Sequence, residues 1–334
     1  MNQPTDLPTD LPINLHSHLE GRVRPDTAAD LAAALGLATP PGGWTAALTL
    51  PGPDTLTTYL DRVGASYPFF TDPDAIARVT SEAVQDAAAD GQAFLELRFG
   101  PGTHARATGR AVDDVVAAAC EGLIDGMERA GMPAGLVLAA LRSHDDDTNL
   151  AVARSAARFA GAGVVGFDLA GDERRFPALE RYRPAFAVAA AAGLGLTCHA
   201  AEAAPAAAAQ EAVERFGVTR IGHGAHVAAD PVVLAWLVDR GVVVEVCPTS
   251  NWYTGAIPTV EAHPAATFRR AGVPLVLGDD NPVQTGSPLS AERRVLAEQL
   301  GVGPDGLAEV DRTSVTALFA DDSVRAALAA RLPG

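Results

Sequence analysis

The 334-residue sequence predicts an α/β fold, a (β/α)8 TIM barrel, on three observations. Short β-prone runs alternate with Ala-rich amphipathic stretches along the whole chain. The runs are almost continuously apolar, which suits parallel strands covered on both faces. Their C-terminal ends, which converge on one face of such a barrel, carry histidines and carboxylates.

The first strand is Ile13–His16, leading into Ser17-His18. The span from Leu31 to Ala75 is longer than one crossover needs. Its Pro40-Pro41-Gly42-Gly43 and Pro51-Gly52-Pro53 clusters predict loops with extra short helices, forming a lid over the C-terminal mouth. A helix over Asp74–Ala89 leads to the second strand, Ala93–Arg98. A helix over Val112–Ala130 precedes the third, Leu136–Leu141, and the fourth is Val164–Asp168. The helix Pro184–Ala192 leads to the fifth, Gly195–His199. The sixth, Arg220–Gly222, is followed by a helix over Pro231–Asp239, then by strands Val242–Val246 and Pro274–Leu277. No linker interrupts this alternation, so residues 13–334 are expected to form one domain behind a disordered lead, residues 1–12.

Composition narrows the function. The 48% apolar content with few aromatics predicts a core of Ala, Val and Leu. A net charge of −16 disfavours a surface that tracks phosphates, so a small-molecule partner is expected and no nucleic acid. Cys120, Cys198 and Cys247 lack C-x-x-C spacing, against a disulfide framework or a cysteine zinc site. Met1 to Pro12 contains no signal region, and no long apolar run is free of charge. A cytoplasmic protein without membrane contact is expected; the oligomeric state stays open.

Alternate strand residues point the same way, so His16 and His18 can both face the barrel axis. With His199 after the fifth strand and Asp279 after the eighth, three imidazoles and one carboxylate suit a single zinc ion (Zn2+), with bonds of about 2.0–2.2 Å. An open position there would hold a water acidified to a pKa of about 7. Glu202, three residues after His199, can reach the site without being a ligand, and a dry pocket would raise its pKa for proton transfer. His223, between Gly222 and Gly224, can project into the mouth and steady the attacking oxygen. Two adjacent carboxylates are costly unless one is neutralised. A metal on Asp279 would do this and leave Asp280 to hydrogen-bond substrate. Gly171 either lets substrate approach the backbone or marks a plain turn. His104, His144 and His263 read as ordinary loop histidines, and His226 stands between a loop residue and a substrate contact.

Six motifs together resemble the adenosine deaminase family of the amidohydrolase superfamily. They are His16-Ser17-His18-Leu19-Glu20-Gly21, the run Gly166 to Glu173, His199-Ala200-Ala201-Glu202, Gly222-His223-Gly224, Cys247-Pro248-Thr249-Ser250-Asn251 and Gly278-Asp279-Asp280. The resemblance runs from about Ile13 to the final helices and includes Leu95-Glu96-Leu97-Arg98-Phe99. It implies one zinc on His16, His18, His199 and Asp279, acid/base work by Glu202 and oxygen positioning by His223. It also implies that Asp280 and the Gly171 backbone grip purine ring nitrogens, with His18 and Glu20 beside the substrate. The implied reaction replaces the 6-amino group of a purine nucleoside by oxygen, releasing ammonia, with N1 protonated by Glu202.

Departures from the family pattern bear on substrate. Glu20 stands where adenosine-specific members carry Asp, near the ribose 5′ end. Ala201 replaces a Gly and would add a methyl near the purine plane. Asn281 looks inserted before Pro282, and Gly278 replaces a hydroxyl residue. Adenosine is the first expectation, with adenine or a 5′-modified adenosine such as aminodeoxyfutalosine as alternatives. A cytidine-deaminase site would need His-x-Glu with Pro-Cys-x-x-Cys, which is absent. A two-metal barrel hydrolase of a non-purine substrate would put Lys or Glu on the fourth strand, which here ends in Asp168. A non-catalytic relic would lack Glu202 or His223, and both are present.

Overall fold

The computed structural model describes residues 11–332. Eight parallel strands follow one another around a single sheet in chain order. They are β1 (Ile13–His18), β2 (Phe94–Phe99), β3 (Ala134–Leu141), β4 (Val164–Ala170), β5 (Gly195–Ala200), β6 (Arg220–His223), β7 (Val243–Val246) and β8 (Leu275–Leu277). Every strand lies within two residues of its expected bounds. The ring closes through a bridge between Ser17 and Asp280. There His18 N–H donates to Asp280 O at 2.7 Å, and Asp280 N–H to His16 O at 2.9 Å. The β1–β2 register shifts between Asn14 and Ser17, so the irregularity brackets His16.

Helices α1 (Pro25–Leu35), α2 (Gly43–Leu48) and α3 (Leu56–Gly64) fill the long first connection before α4 (Pro73–Ala89). Then α5 (Pro101–Thr108) and α6 (Val112–Ala130) join β2 to β3. After β3, β4, β5 and β6 come α7 (Asp146–Arg158), α8 (Arg183–Ala191), α9 (Ala207–Phe216) and α10 (Pro231–Asp239). Between β7 and β8 lie α11 (Pro248–Tyr253) and α12 (Ala265–Ala271). The helices α13 (Pro282–Thr285), α14 (Leu289–Arg294), α15 (Gly303–Ala317) and α16 (Asp322–Ala329) follow. Local chemistry sets several boundaries. Asp72 accepts from Ala75 N–H with Pro73 in the first turn of α4, and Asp145 and Asp230 cap α7 and α10 in the same manner.

Between sheet and helices the core is apolar, as expected: Leu95, Leu97, Phe99, Phe167, Leu169, Val244 and Val246 meet helical Ala83, Val84, Val116 and Leu123. Each large aliphatic side chain buried there contributes about 1.5–3 kcal/mol. The inside of the barrel is not apolar. Glu96, Arg98, Asp168, Arg220 and Glu245 are all fully buried, because β2 alternates Leu-Glu-Leu-Arg-Phe and sends its charges inward. Arg98 donates to Asp168 Oδ2 (3.1 Å), Glu245 Oε2 (2.9 Å) and Leu15 O (2.6 Å). Arg220 donates to Glu245 Oε1 at 2.7 Å and is paired with Glu96. Such charges are tolerable only because each is paired. Phe319 closes the bottom, its ring 3.6 Å from the Arg220 guanidinium carbon. Gly166 and Gly195 leave room for that ring, since a Cβ on Gly166 would lie 2.7 Å from it. Gly166 therefore serves the barrel floor.

Residues 1–10 of the expected lead lie outside the described residues. Leu11 is buried, its N–H donating to Asp311 Oδ2 at 3.2 Å, and Ala93 N–H donates to Pro12 O at 2.7 Å. The described structure thus reaches back beyond Ile13. The three cysteines are free and buried. Among the described residues no helix is long and apolar enough to cross a membrane.

Candidate active site

His16 and His18 project from β1 and His199 from β5, at the C-terminal mouth. His16 Nδ1–H donates to Glu245 Oε2 at 2.7 Å, and His199 Nδ1–H to Asp168 Oδ2 at 2.9 Å. Both rings are thereby oriented with the Nε2 lone pair toward the mouth. His16 Nε2 is buried without a hydrogen-bond partner. His18 Nε2 lies 3.2 Å from His199 Nε2 and 3.2 Å from Asp280 Oδ1, which is 3.6 Å from His16 Nε2. A tetrahedral zinc with bonds of about 2.0–2.1 Å separates its ligands by roughly 3.3 Å, so these donors fit such an ion. Burial holds the His18 pKa down to about 3, keeping its lone pair available.

The carboxylate of this cluster is Asp280, and the expectation for Asp279 is corrected. Asp279 Oδ2 accepts from Arg22 Nη2 at 2.5 Å, while Arg22 Nε donates to Ser17 Oγ at 2.6 Å. The neutralisation expected from a metal is supplied to Asp279 by that guanidinium. Asp280 has φ 56° and its backbone is bonded to β1, which swings its carboxylate over the axis. Its Oδ2 accepts from Tyr59 OH at 2.9 Å and from Ser250 Oγ. Asn281, next to it, borders the same cavity.

Ala201, His223 and Asp280 are the non-glycine residues with positive φ among those described, at 55°, 66° and 56°. Each lies at or just beyond the end of a barrel strand. Such a conformation costs roughly 1–2 kcal/mol per residue, and here it turns side chains over the mouth. Ala201 itself is packed in the outer core, so its methyl does not face the cavity as expected. The turn after it is held by Glu173, whose carboxylate accepts from the N–H groups of Ala201, Glu202, Ala203 and Ala204 at 2.8–3.2 Å. Glu202 is thus aimed into the cavity. Burial, reinforced by the Asp280 charge, pushes its pKa up to about 8. His223 Nε2 stands 3.8 Å from Glu202 Oε2.

The cavity encloses about 480 Å³ and is lined by His18, Glu20, Gly171, Glu202, His223 and Asn281, with Leu56, Tyr59 and Val63 of α3 along one wall. Gly171 has φ 110°, which requires glycine there. Glu20 Oε1 accepts from Gly100 N–H at 3.1 Å and lies 3.1 Å from His104 Nε2. Burial alone would raise the Glu20 pKa, but the bond to His104 holds it below the usual value. His226 is turned away from the cavity, both its N–H and its Nδ1 meeting Ala201 O.

Residues 12–333 match the family model described as adenosine deaminase. The chain belongs to the adenosine deaminase family. An adenosine deaminase of Shewanella denitrificans is 33% identical to it, the match covering 82% of each chain. An adenine deaminase of Rhizobium leguminosarum bv. trifolii is 33% identical over 77% of this chain and 79% of its own. A solved amidohydrolase from Burkhoderia ambifaria, with bound Zn, superposes with a TM-score of 0.86 at 25% identity, covering 96% of this chain and 89% of that one. The protein is accordingly a hydrolytic deaminase on a (β/α)8 barrel.

Within this deaminase, sequence reading passed over several residues that shape the site. His104 lies on α5, not in a loop, and is stacked on Phe70 with ring centroids 4.4 Å apart. His263 is buried and joined through Asn251 to His223. Glu245, Arg98 and Glu173 orient the histidines and the acid from below and behind. The alternation of Glu96 and Arg98 with apolar residues in β2, where a near-continuous apolar run was expected, is a local signal of this arrangement.

Proposed function

We propose that this deaminase hydrolyses the exocyclic amino group at C6 of a 6-aminopurine, adenosine or a close analogue, with one zinc ion held by His16, His18, His199 and Asp280. The observation that carries the reading is the convergence of Glu202 and His223 on the cavity that the four donors floor. When bound, the metal supplies Lewis acidity and an acidified water to that floor.

The chain's own residues account for the rest. Glu202, protonated near neutrality, donates to N1 and makes C6 electrophilic. His223 donates from Nε2 to the oxygen that attacks C6, where negative charge develops. The nitrogen leaves as ammonia. Asn281 and the backbone of Gly171 border the same cavity and suit the remaining ring nitrogens, a role first assigned to Asp280. A neutral amide can donate to a ring nitrogen without first being protonated. Glu20 supports an uncharged group at its end of the cavity, because an ionised carboxylate repels a 5′-phosphate. Free adenine is the second reading, in keeping with the Glu20 carboxylate on the cavity wall.

Ammonia release by zinc-loaded protein would be measured across adenine, adenosine, deoxyadenosine, 5′-modified adenosines, AMP and cytidine. Release from an uncharged 6-aminopurine supports the reading. Silence across the panel with zinc bound refutes it.

A further inference from the structure

We propose that Asn251 and His263 form a positioning relay that locks His223 as its Nε2–H tautomer, making it a hydrogen-bond donor to the attacking oxygen and excluding it as the general base. The functional part of this inference rests on the proposed deaminase reading. The tautomer itself does not.

The polarity of the relay follows from one backbone amide. Ala265 N–H can only donate, and it donates to His263 Nδ1 at 3.2 Å. That nitrogen is therefore a bare lone pair, and the ring proton sits on Nε2. His263 Nε2 lies 3.2 Å from the Asn251 side chain, and a donor there requires the carbonyl oxygen Oδ1 to face it. The amide nitrogen Nδ2 must then face the other way, toward His223 Nδ1 at 3.0 Å. An NH2 group only donates, so His223 Nδ1 accepts. The single proton of neutral His223 is left on Nε2, the atom on the Glu202 side, 3.8 Å from Glu202 Oε2.

Flipping Asn251 would set its NH2 against His263 Nε2–H, two donors facing each other. Water could not relieve the clash, because Asn251 is 0%, His223 2% and His263 4% exposed. The backbone around the relay is fixed as well. Asn251 N–H donates to Cys247 O at 2.9 Å, Asn251 O accepts from Ile257 N–H at 3.2 Å, and His263 N–H donates to Val260 O at 3.0 Å. Burial also lowers the pKa of His263, in keeping with a neutral ring. With His223 keeping its proton, the carboxylate that Glu202 becomes after protonating N1 takes the proton shed by the attacking water. The same group then passes that proton to the departing amino nitrogen, which leaves as ammonia, and regains its own from the C6 hydroxyl as the carbonyl forms.

The test uses the full-length zinc-loaded protein labelled with 15N-histidine. Two-bond 1H–15N correlation spectra without substrate report the tautomer of each ring, and the His223→Asn variant identifies the His223 signals. The expected wild-type pattern is Nε2–H. Asn251→Asp, whose carboxylate cannot donate, should move His223 to an Nδ1–H or doubly protonated pattern. It should lower kcat by at least roughly 10²-fold, as a wrongly protonated histidine does in hydrolase triads, with KM changed far less. His263→Gln, which keeps a donor toward Asn251, should retain the Nε2–H pattern and most of the turnover, whereas His263→Leu should lose both. This pair carries the test if Asn251→Asp does not fold. An Nδ1–H pattern on wild-type His223, or an unchanged pattern in both Asn251→Asp and His263→Leu, would overturn the proposal. A substrate panel without ammonia release beside an Nε2–H pattern would leave the relay standing and remove only the deaminase reading.

Discussion

Two adjacent isosteric substitutions, Asp279→Asn and Asp280→Asn, separate two structural roles that a sequence cannot. Asp280 Oδ1 lies 3.2 Å from His18 Nε2 and 3.6 Å from His16 Nε2, so its replacement removes the only anionic donor from the cluster. The loss of metal affinity should exceed the roughly 10–100-fold that changes in merely supporting residues cause. Asp279 instead pairs with Arg22, and both groups are buried. Breaking such a pair from one side costs about 3–5 kcal/mol. The lower end applies here, because the amide oxygen can still accept and Ser17 keeps its bond to Arg22. Metal content after dialysis against a graded chelator, together with thermal unfolding, distinguishes the two. Asp280→Asn should lose zinc at chelator strengths that wild type withstands. Asp279→Asn should keep zinc and melt several degrees lower. Zinc lost from Asp279→Asn and retained by Asp280→Asn would refute the assignment.

Three other outcomes follow from the geometry. Glu202→Gln should keep its zinc and lose at least roughly 10²-fold in kcat. Wild-type kcat should decline as pH rises through about 8, where the protonated carboxyl is lost, and equal turnover in the variant would exclude the role. Glu292, buried beside Ser287 and Thr249, has its pKa raised by burial to about 7, so in the fold it is neutral below that pH. A raised folded-state pKa favours the fold below the unfolded value, and that contribution disappears as pH rises through about 7. Wild type should therefore lose up to about 3 kcal/mol relative to Glu292→Gln between pH 4 and pH 8, on the order expected from the shift. Parallel denaturant titrations check this, and coincident pH profiles would contradict it. Gly278→Ala should destabilise by about 1–3 kcal/mol and weaken zinc retention, because the added Cβ would overlap His16 Cβ and O where β8 closes on β1. Wild-type retention and melting in that variant would show the closure to be looser than described.

The strands were legible because each is a short apolar run with a turn behind it, and the pairing of His16 with His18 followed from strand periodicity alone. The choice between Asp279 and Asp280 was not legible. It depends on a left-handed backbone at Asp280 and on an arginine 257 positions before Asp279, neither of which has a local signature. His104, Asn251 and His263 were passed over for a related reason: what makes them matter is a partner on a distant segment. The buried charges of β2 were different. Glu96 and Arg98 alternate with Leu95, Leu97 and Phe99, and a strand with one charged face inside a closed barrel already implies an ionic interior.

That ionic interior separates two kinds of inheritance. His16 and His199 are oriented from within the barrel, by Glu245 and Asp168, which in turn depend on Arg98, Arg220 and Glu96 down to Phe319 at the floor. The walls that would meet a substrate come from α3, the segment after β4 and the turn at Asn281, which lie outside that lattice. Divergence of specificity can then proceed by exchanging rim segments while the reaction centre stays assembled. Transplanting the Leu56–Tyr67 rim from a relative of different specificity, with Tyr59 kept because its hydroxyl holds Asp280, should retune which purine is accepted and leave the histidine geometry inherited intact.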